Sequence, residues 1–221
     1  MVHHYAKADW TDVDRVQRMA NSYRVRYDTE FWNSFNSLVG TQSRPVVADF
    51  GCGPGLLLAD IASRFNAHTA IALDESEQML AVAKTNLKNI ATLEKIDIQE
   101  VNFDMDQIQV NPNTIDLAFS GFMLHEVASP IKFVTKVYSL IKSQGFYVVY
   151  DYVSGNEEQF VKTMSQTGMN EEHARKRYPH MCKHSADDII RILETSGFQD
   201  SQSRIINDIR AVVVGLKRSN T

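Results

Sequence analysis

The sequence has little of what marks membrane, secreted or disulfide-bonded proteins. Its two cysteines, Cys52 and Cys182, lie far apart in 221 residues, which excludes a disulfide framework and suits a reducing compartment. No apolar run reaches the ~18 residues that indicate a membrane-spanning helix. The first ten residues, MVHHYAKADW, lack the apolar segment of a secretory signal. Together these absences predict a cytoplasmic protein.

Concentrated charge and internal repetition are absent as well. The formal net charge is −4 at pH 7 and no long run of one sign occurs, which counts against a nucleic-acid partner because nucleic acids favour a basic face. What is present is ordinary, with 43% hydrophobic and 23% charged residues. At this length, that composition can bury a sizeable core.

The order of apolar runs predicts an α/β protein. After a polar-faced helical stretch over residues 9–39, short apolar runs alternate with amphipathic segments. This alternation implies a mostly parallel sheet with helices on both faces. The five strand candidates are PVVADF, HTAIALD, KIDIQEVNF, TIDLAFS and FYVVYDYV. The third has an irregular apolar period, which leaves open a bulge or an early end.

Helix boundaries are marked most clearly in the second half of the chain. Ser129, Pro130 and Gly145 predict a helix that begins after Ser129 and ends just before Gly145. Ser185, followed three residues later by an aspartate, predicts a capped helix that Gly197 ends. Two closing runs, SQSRIIND and IRAVVVGLKR, predict an antiparallel hairpin.

These boundaries predict one main domain with two additions. We expect an N-terminal helical lid over residues 1–40 and a main domain over residues 41–221. An insert at residues 154–184, polar and helical in pieces, breaks the alternation. Its position suggests a role in substrate selection.

The stretch VVADFGCGPGLLLADIA, residues 46–62, passes from a strand into a helix through three glycines. Gly51, Gly53 and Gly55 let a ligand approach bare backbone, and the helix that follows offers free N–H groups. The spacing G-x-G-x-G, with Asp49 two residues before the first glycine, departs from the G-x-G-x-x-G of dinucleotide-binding turns. The motif DFGCGPG instead resembles motif I of the class I S-adenosylmethionine-dependent methyltransferases.

Further landmarks follow in the family's order, over about residues 45–217. Asp74 ends the second strand, where the family holds the ribose hydroxyls, and Asp104 (or Asp106) follows the third strand near the adenine. The resemblance implies a three-layer sandwich with a seven-stranded sheet whose C-terminal hairpin is antiparallel. It implies that S-adenosylmethionine contacts Asp49, Gly51, Cys52, Gly53, Asp74, Glu75, Met79, Asp104, Met105, Ser120 and Gly121. Gly55 is expected to serve helix–strand packing.

The sequence indicates the residues that would contact the methyl acceptor less clearly than it indicates the cofactor contacts. His125, in SGFMLHE after the fourth strand, is a candidate general base for a hydroxyl acceptor, with a purely local hydrogen bond as the alternative. The segment lacks the N-P-P-Y or D-P-P-Y typical of enzymes that methylate amide or exocyclic base nitrogens. Candidate acceptor contacts come from the lid, the fifth strand and the insert, namely Tyr23, Tyr27, Trp32, Asp151, Tyr152, Arg175 and Tyr178.

The resemblance implies methyl transfer from S-adenosylmethionine to an oxygen or nitrogen of a small molecule. Two alternatives stay open, a non-catalytic S-adenosylmethionine-binding protein and a protein or RNA methyltransferase. We expect no membrane or nucleic-acid partner, and a homodimer is compatible with the sequence. The motif HMCKH would place His180, Cys182 and His184 on one face of an extended segment. No further ligand pattern lies nearby, so we predict no metal site.

Overall fold

In the computed structural model, which describes residues 13–219, seven strands form one mixed sheet. The strands are β1 Val46–Phe50, β2 Thr69–Asp74, β3 Lys95–Glu100, β4 Ile115–Gly121, β5 Ile141–Tyr152, β6 Gln199–Ile206 and β7 Arg210–Leu216. Their order across the sheet is β3-β2-β1-β4-β5-β7-β6. The first five strands pair in parallel, while β7 is antiparallel to both of its neighbours. The predicted fold class is confirmed.

Helices cover both faces of the sheet. They are α1 Val13–Asn21, α2 Tyr23–Arg26, α3 Thr29–Val39, α4 Leu56–Arg64, α5 Glu77–Leu87, α6 Pro130–Leu140, α7 Glu157–Gln166, α8 Glu171–Met181 and α9 Ala186–Thr195. Within residues 13–219, none of these helices combines the length and the apolar character needed to cross a bilayer.

The central strand β1 is buried on both of its faces. Val47 packs into a core shared with α3, α4 and α5, while Ala48 and Phe50 face the opposite core with α6 and α9. Strand order reverses at β1, which has β2 on one side and β4 on the other. In open parallel sheets, the crevice beyond the carboxyl ends of the strands at such a point is where ligands bind. The fold therefore directs attention to the turn after residue 50.

The predicted helical stretch over residues 9–39 is interrupted twice. Tyr27 ends α2 with a non-helical backbone. Asp28 then caps α3, because its carboxylate accepts the amide of Phe31 at 2.9 Å. Residues 9–12 of the predicted stretch, like residues 1–12 of the predicted lid, lie outside the described residues.

The predicted end of α6 at Gly145 is wrong. The helix ends at Leu140, four residues before the predicted end, and β5 begins at Ile141, which is fully buried and pairs with Ile115. Residues 142–145 then bulge from the strand, and the Gln144 amide, at a φ of 65°, donates to the carbonyl oxygen of Lys217. Burial of Ile141 and pairing with β4 outweigh the local helix pattern.

The boundaries near the C-terminus are confirmed. Ser185 Oγ accepts the amide of Asp188 at 3.1 Å, and an Asp188 carboxylate oxygen accepts the amide of Ser185 at 2.9 Å. Gly197 follows the end of α9 with a φ of 108°. The predicted hairpin is β6 and β7, and the third predicted strand, β3, takes the early end that its pattern left open.

Candidate active site

The turn between β1 and α4 is bonded to the end of β2. The amides of Gly51 and Cys52 both donate to the carbonyl oxygen of Leu73, at 2.8 and 2.9 Å. The Gly53 amide donates to Oδ2 of Asp74 at 2.8 Å. Gly53 has a φ of 51°, and only the end of one flexible side chain lies near the place a β-carbon would take. The turn therefore presents bare main chain to the crevice.

Gly55 has a packing role, but against a helix rather than against a strand. Its φ is 73°, and a β-carbon there would lie 2.7 Å from the β-carbon of Ala83 on α5. Any side chain at this position would push α4 and α5 apart. The expected helix–strand contact is therefore a helix–helix contact.

Two acidic side chains flank the glycine turn. Asp49 is 2% exposed, and its Oδ1 has no hydrogen-bond partner among residues 13–219. Burial, followed by the negative charge of Asp74, raises the pKa of Asp49 well above its usual range. Asp74 accepts the amides of Gly53 and Ser76, at 2.8 and 3.0 Å, and burial raises its pKa despite these bonds.

These groups fit the adenosyl amino acid that the sequence resemblance implies. A buried carboxylate oxygen without a partner requires a cation or a donor, and S-adenosylmethionine carries an ammonium and a sulfonium. Each Asp74 oxygen accepts a main-chain N–H, from Gly53 or from Ser76, and has a second lone pair with which to accept a ribose hydroxyl. Asp49 thus suits the charged end of the ligand, and Asp74 suits its sugar.

Three further cofactor candidates are exposed around the crevice. Met105, on the loop after β3, is 82% exposed, which leaves its thioether free to cover a flat apolar ring. Asp104 beside it accepts the amide of Ala128 at 3.0 Å, and Asp106 bonds to the main chain of its own loop. Glu75 is exposed directly after β2.

Other cofactor candidates are sealed inside the fold. Met79 is fully buried in the first turn of α5, and the thiol of Cys52 is buried with a raised pKa, caused first by burial. The Ser120 hydroxyl is hydrogen-bonded to the Tyr147 hydroxyl at 2.6 Å inside the core. These three residues support the crevice from behind.

His125 is held by an acidic partner on the neighbouring strand. Its Nδ1 lies 2.7 Å from Oδ1 of Asp151, at the end of β5, and its main-chain amide donates to Oδ2 at 3.1 Å. Its Nε2 lies 3.2 Å from Oε1 of Glu126. Burial alone would lower the pKa of His125, but the charge and hydrogen bond of Asp151, and then those of Glu126, raise it to about 10.

Helix α8 brings a second histidine to the same place. His180 Nε2 lies 3.1 Å from Oε2 of Glu126, and burial, which would raise the Glu126 pKa, is outweighed by His125 and then His180, which lower it to about 2. The HMCKH segment is not extended, because His180 lies in the last turn of α8, whereas Cys182 is the C-cap and His184 follows it. Sequence reasoning missed Glu126, an acid next to a histidine that nothing in the pattern singles out.

Tyr27 lies over the end of β4. Its hydroxyl lies close to the place that a β-carbon at Gly121 would take, so any side chain at Gly121 would displace Tyr27, and its half-buried ring packs against Tyr150 and Phe122. Tyr152 also packs against Phe122, with tilted rings whose centroids lie 4.9 Å apart. The structure thus brings two predicted acceptor contacts, Tyr27 and Tyr152, to the edge that holds Gly121.

The helices before β1 are anchored to the sheet through one carbonyl group. Tyr150 Oη and Arg210 Nη1 both donate to the main-chain oxygen of Arg26, at 3.0 and 3.2 Å. Tyr23 is hydrogen-bonded through its hydroxyl to Asp60 on α4, which draws it to the side of the lid away from β5. The lid is therefore held at two points.

Three other predicted acceptor contacts do not join Tyr27 and Tyr152 beside Gly121. They are Trp32, Arg175 and Tyr178. Trp32 is buried in the core beneath the guanidinium of Arg64, which lies 4.0 Å from its ring centroid. Arg175 makes a bidentate ion pair with Glu158 between α7 and α8, at 2.7 and 2.8 Å. The Tyr178 hydroxyl accepts a main-chain N–H of the loop after β5 at 3.0 Å.

The chain has relatives among known proteins. Residues 48–149 match a protein family described as a methyltransferase domain. The chain is similar to the malonyl-[acyl-carrier protein] O-methyltransferase of Marinomonas sp., with 28% identity over 192 residues that cover 87% of this chain and 67% of that protein. It is similar to the mitochondrial ubiquinone biosynthesis O-methyltransferase of Schizosaccharomyces pombe, with 28% identity over 207 residues, 92% of this chain and 69% of that protein.

A solved structure shares the fold. A SAM-dependent methyltransferase from Aquifex aeolicus superposes with a TM-score of 0.69 at 17% identity, covering 93% of this chain and 98% of that one. At this identity, the likeness bears on architecture alone. It agrees with the sheet order and the flanking helices described above.

Proposed function

Because the chain is a class I S-adenosylmethionine-dependent methyltransferase, we propose that it methylates an oxygen or nitrogen of a small molecule, with oxygen favoured. S-adenosylmethionine supplies a methyl group activated by a sulfonium. The names of the two relatives, both O-methyltransferases, favour oxygen. The observation that carries the binding half of the proposal is the buried, unpartnered oxygen of Asp49 beside the Gly53–Asp74 hydrogen bond.

Each cofactor contact follows from what the side chain offers. Asp49 would bind the cationic amino acid end, since its Oδ1 lacks a partner within the described chain. The bare main chain at Gly53 lets the ligand lie close, and Asp74 would accept the ribose hydroxyls. Met105 would cover the adenine with its exposed thioether. Orientation by such contacts supplies much of the rate of a displacement reaction.

We place the acceptor at the ends of β4 and β5. There, His125 is the candidate to take the proton of a hydroxyl acceptor, because Asp151 fixes its ring. Since Asp151 and Glu126 raise the pKa of His125 to about 10, the ring can accept this proton only after it has lost the contact with Glu126 and released its own proton. With Nε2 bonded to Glu126, this role opens only when the acceptor displaces that carboxylate. Tyr27 and Tyr152 would contact the acceptor with their aromatic faces.

The cytoplasm is the proposed compartment, since both cysteines are buried free thiols.

Isothermal titration calorimetry with S-adenosylmethionine and, separately, with NAD tests the binding half. We expect saturable binding of S-adenosylmethionine only. Asp74→Ala should weaken it about 10- to 100-fold, because each hydrogen bond to a charged group is worth about 1.5–3 kcal/mol. Glu94→Ala is the matched control, since Glu94 is an exposed acid at the opposite edge of the sheet, before β3.

Tight NAD binding without S-adenosylmethionine binding would contradict the proposal. Acceptors are then sought by incubating the protein with S-adenosylmethionine and fractionated small metabolites, and by measuring the release of S-adenosylhomocysteine. Cofactor binding without release in any fraction would support the alternative, a non-catalytic binding protein. Release that depends only on protein or RNA fractions would contradict the small-molecule acceptor.

A further inference from the structure

Three side chains converge where α8 meets the loop after β4. They are His125, Glu126 and His180. Glu126 lies between the two histidines, with one oxygen 3.2 Å from His125 Nε2 and the other 3.1 Å from His180 Nε2. The three ligand atoms all lie within 4.8 Å of one another. Tetrahedral coordination, with metal–ligand bonds of about 2.0–2.2 Å, requires ligand atoms roughly 3.3 Å apart. The two distances to Glu126, each to a different oxygen, are close to that requirement, and the limit of 4.8 Å leaves a shift of about an ångström or less for one ligand atom from each residue to reach it.

The donor set also has a chemical preference. Two imidazole nitrogens and one carboxylate are the ligands of Zn²⁺ sites that keep one coordination position open. Metal-binding histidines usually donate their second ring N–H to a carboxylate, which fixes the tautomer. Asp151 holds Nδ1 of His125 in this way at 2.7 Å, and it is itself 1% exposed. The cluster therefore has an ordered second layer as well as three ligands.

Solvent reaches the cluster from one side. His125 is 5% exposed, while the Glu126 side chain is 27% and the His180 side chain 54% exposed. A cation can thus arrive at His180 and Glu126 from solvent and then reach the buried nitrogen of His125. The open fourth position would face the same rim as the proposed acceptor.

We propose that His125, Glu126 and His180 bind one Zn²⁺-type transition-metal ion, which joins α8 to the loop after β4. This reverses the expectation from sequence that no metal site exists, because the site needs an acid that HMCKH does not contain. The site goes beyond the proposed function, and its existence does not depend on methyl transfer. With Nε2 bound to a metal ion, His125 would not serve as the base for the acceptor. It rests on the geometry of three side chains from two separate segments.

Titration of chelator-treated, dialysed protein with ZnSO₄ by isothermal calorimetry tests the site, with Co²⁺ absorption as a readout of tetrahedral coordination. We expect one equivalent to bind. His180→Ala should weaken binding about 100-fold, and Asp151→Asn about 10- to 100-fold through loss of the second-layer bond. His173→Ala, an exposed histidine on the same helix, is the matched control and should bind as the wild type does. Circular dichroism confirms that each variant is folded.

Two results would overturn the site, namely no saturable Zn²⁺ binding by the wild type, or equal binding by His180→Ala and His173→Ala. Parallel titration of wild-type protein with S-adenosylmethionine separates this proposal from the proposed function. Cofactor binding without Zn²⁺ binding refutes only the metal site. Zn²⁺ binding that depends on His180, without cofactor binding, supports the metal site and refutes only the proposed function.

Discussion

At the scale of single residues, we expect the buried carboxylate of Asp49 to lower the stability of the ligand-free protein while it favours binding of S-adenosylmethionine. A carboxyl group whose pKa is raised on folding stabilises the folded state below its unfolded pKa, and this contribution is lost as pH rises through the folded pKa. We therefore expect Asp49→Asn to increase the free energy of unfolding of the ligand-free protein at pH 7.5 by about 1 kcal/mol or more, because one pKa unit corresponds to about 1.4 kcal/mol. Urea unfolding of the variant and the wild type measures this change in the free energy of unfolding.

The difference between the variant and the wild type should shrink at pH 4.5, because the free-energy advantage that ionisation of Asp49 gives the unfolded state falls as pH approaches the unfolded pKa. Asp97→Asn, on the half-buried strand β3, serves as the control. Affinity for S-adenosylmethionine should fall in Asp49→Asn even though the fold gains stability. A stability difference that does not change with pH would contradict this account.

The sequence alone identifies residues that belong to a motif or that end a predicted strand. The motif and its order predict Asp49 and Asp74, and in the structure Asp74 accepts the Gly53 amide while its charge helps raise the pKa of Asp49. The contact of His180 with Glu126 joins residues 54 positions apart, and no spacing rule reports such a meeting. It depends on how α8 docks, which is a matter of packing.

At the scale of elements, α9 begins with a reciprocal capping box that is worth testing. Ser185→Ala removes the acceptor of the Asp188 amide, so we expect the free energy of unfolding to fall by about 1 kcal/mol. Thermal and urea unfolding both report the change. Ser37→Ala, at an exposed serine whose hydroxyl donates to a carbonyl of its own helix, is the control and should leave stability nearly unchanged. Equal losses in the two variants would contradict the capping role.

Element boundaries were predictable where local chemistry decides them. Ser185 and Gly197 mark the ends of α9 in the sequence as in the structure. Gly145 failed as a marker because Ile141 is fully buried and pairs with β4, and this tertiary gain ends the helix early. The break at Tyr27 likewise serves packing, since that ring lies among aromatic residues of the sheet.

At the scale of the whole molecule, Arg210 ties the last strand to the first helices. Arg210→Ala removes a donor to the Arg26 carbonyl and a cation 3.8 Å from Asp28. We expect faster hydrogen exchange in α2 and α3 and a loss of about 1–3 kcal/mol in the free energy of unfolding. Hydrogen exchange followed by mass spectrometry measures the first effect.

Arg204→Ala is the matched control, because Arg204 is an exposed arginine on the neighbouring strand β6. It should leave exchange in α2 and α3 unchanged. Faster exchange spread evenly over the protein, rather than confined to the N-terminal helices, would contradict a specific tie.

The architecture as a whole was predictable, because alternating apolar runs and helices leave few ways to form a sheet. The order of motifs along the chain then indicated the fold class, which the sheet order confirms. What alternation does not encode is which loops meet at the rim. Phe122, held at a φ of 53° between Tyr150 and Tyr152, is such a meeting point, and its role is visible only in three dimensions.

The position of β7 between β5 and β6 has a consequence during synthesis. On the ribosome, β5 emerges some sixty residues before the strand that completes its hydrogen bonding. Until then it is an open edge rich in valine and tyrosine, the kind of surface that invites association between nascent chains. The last-made strand thus protects an early one, and translation stalled after residue 200 would release a chain prone to aggregate.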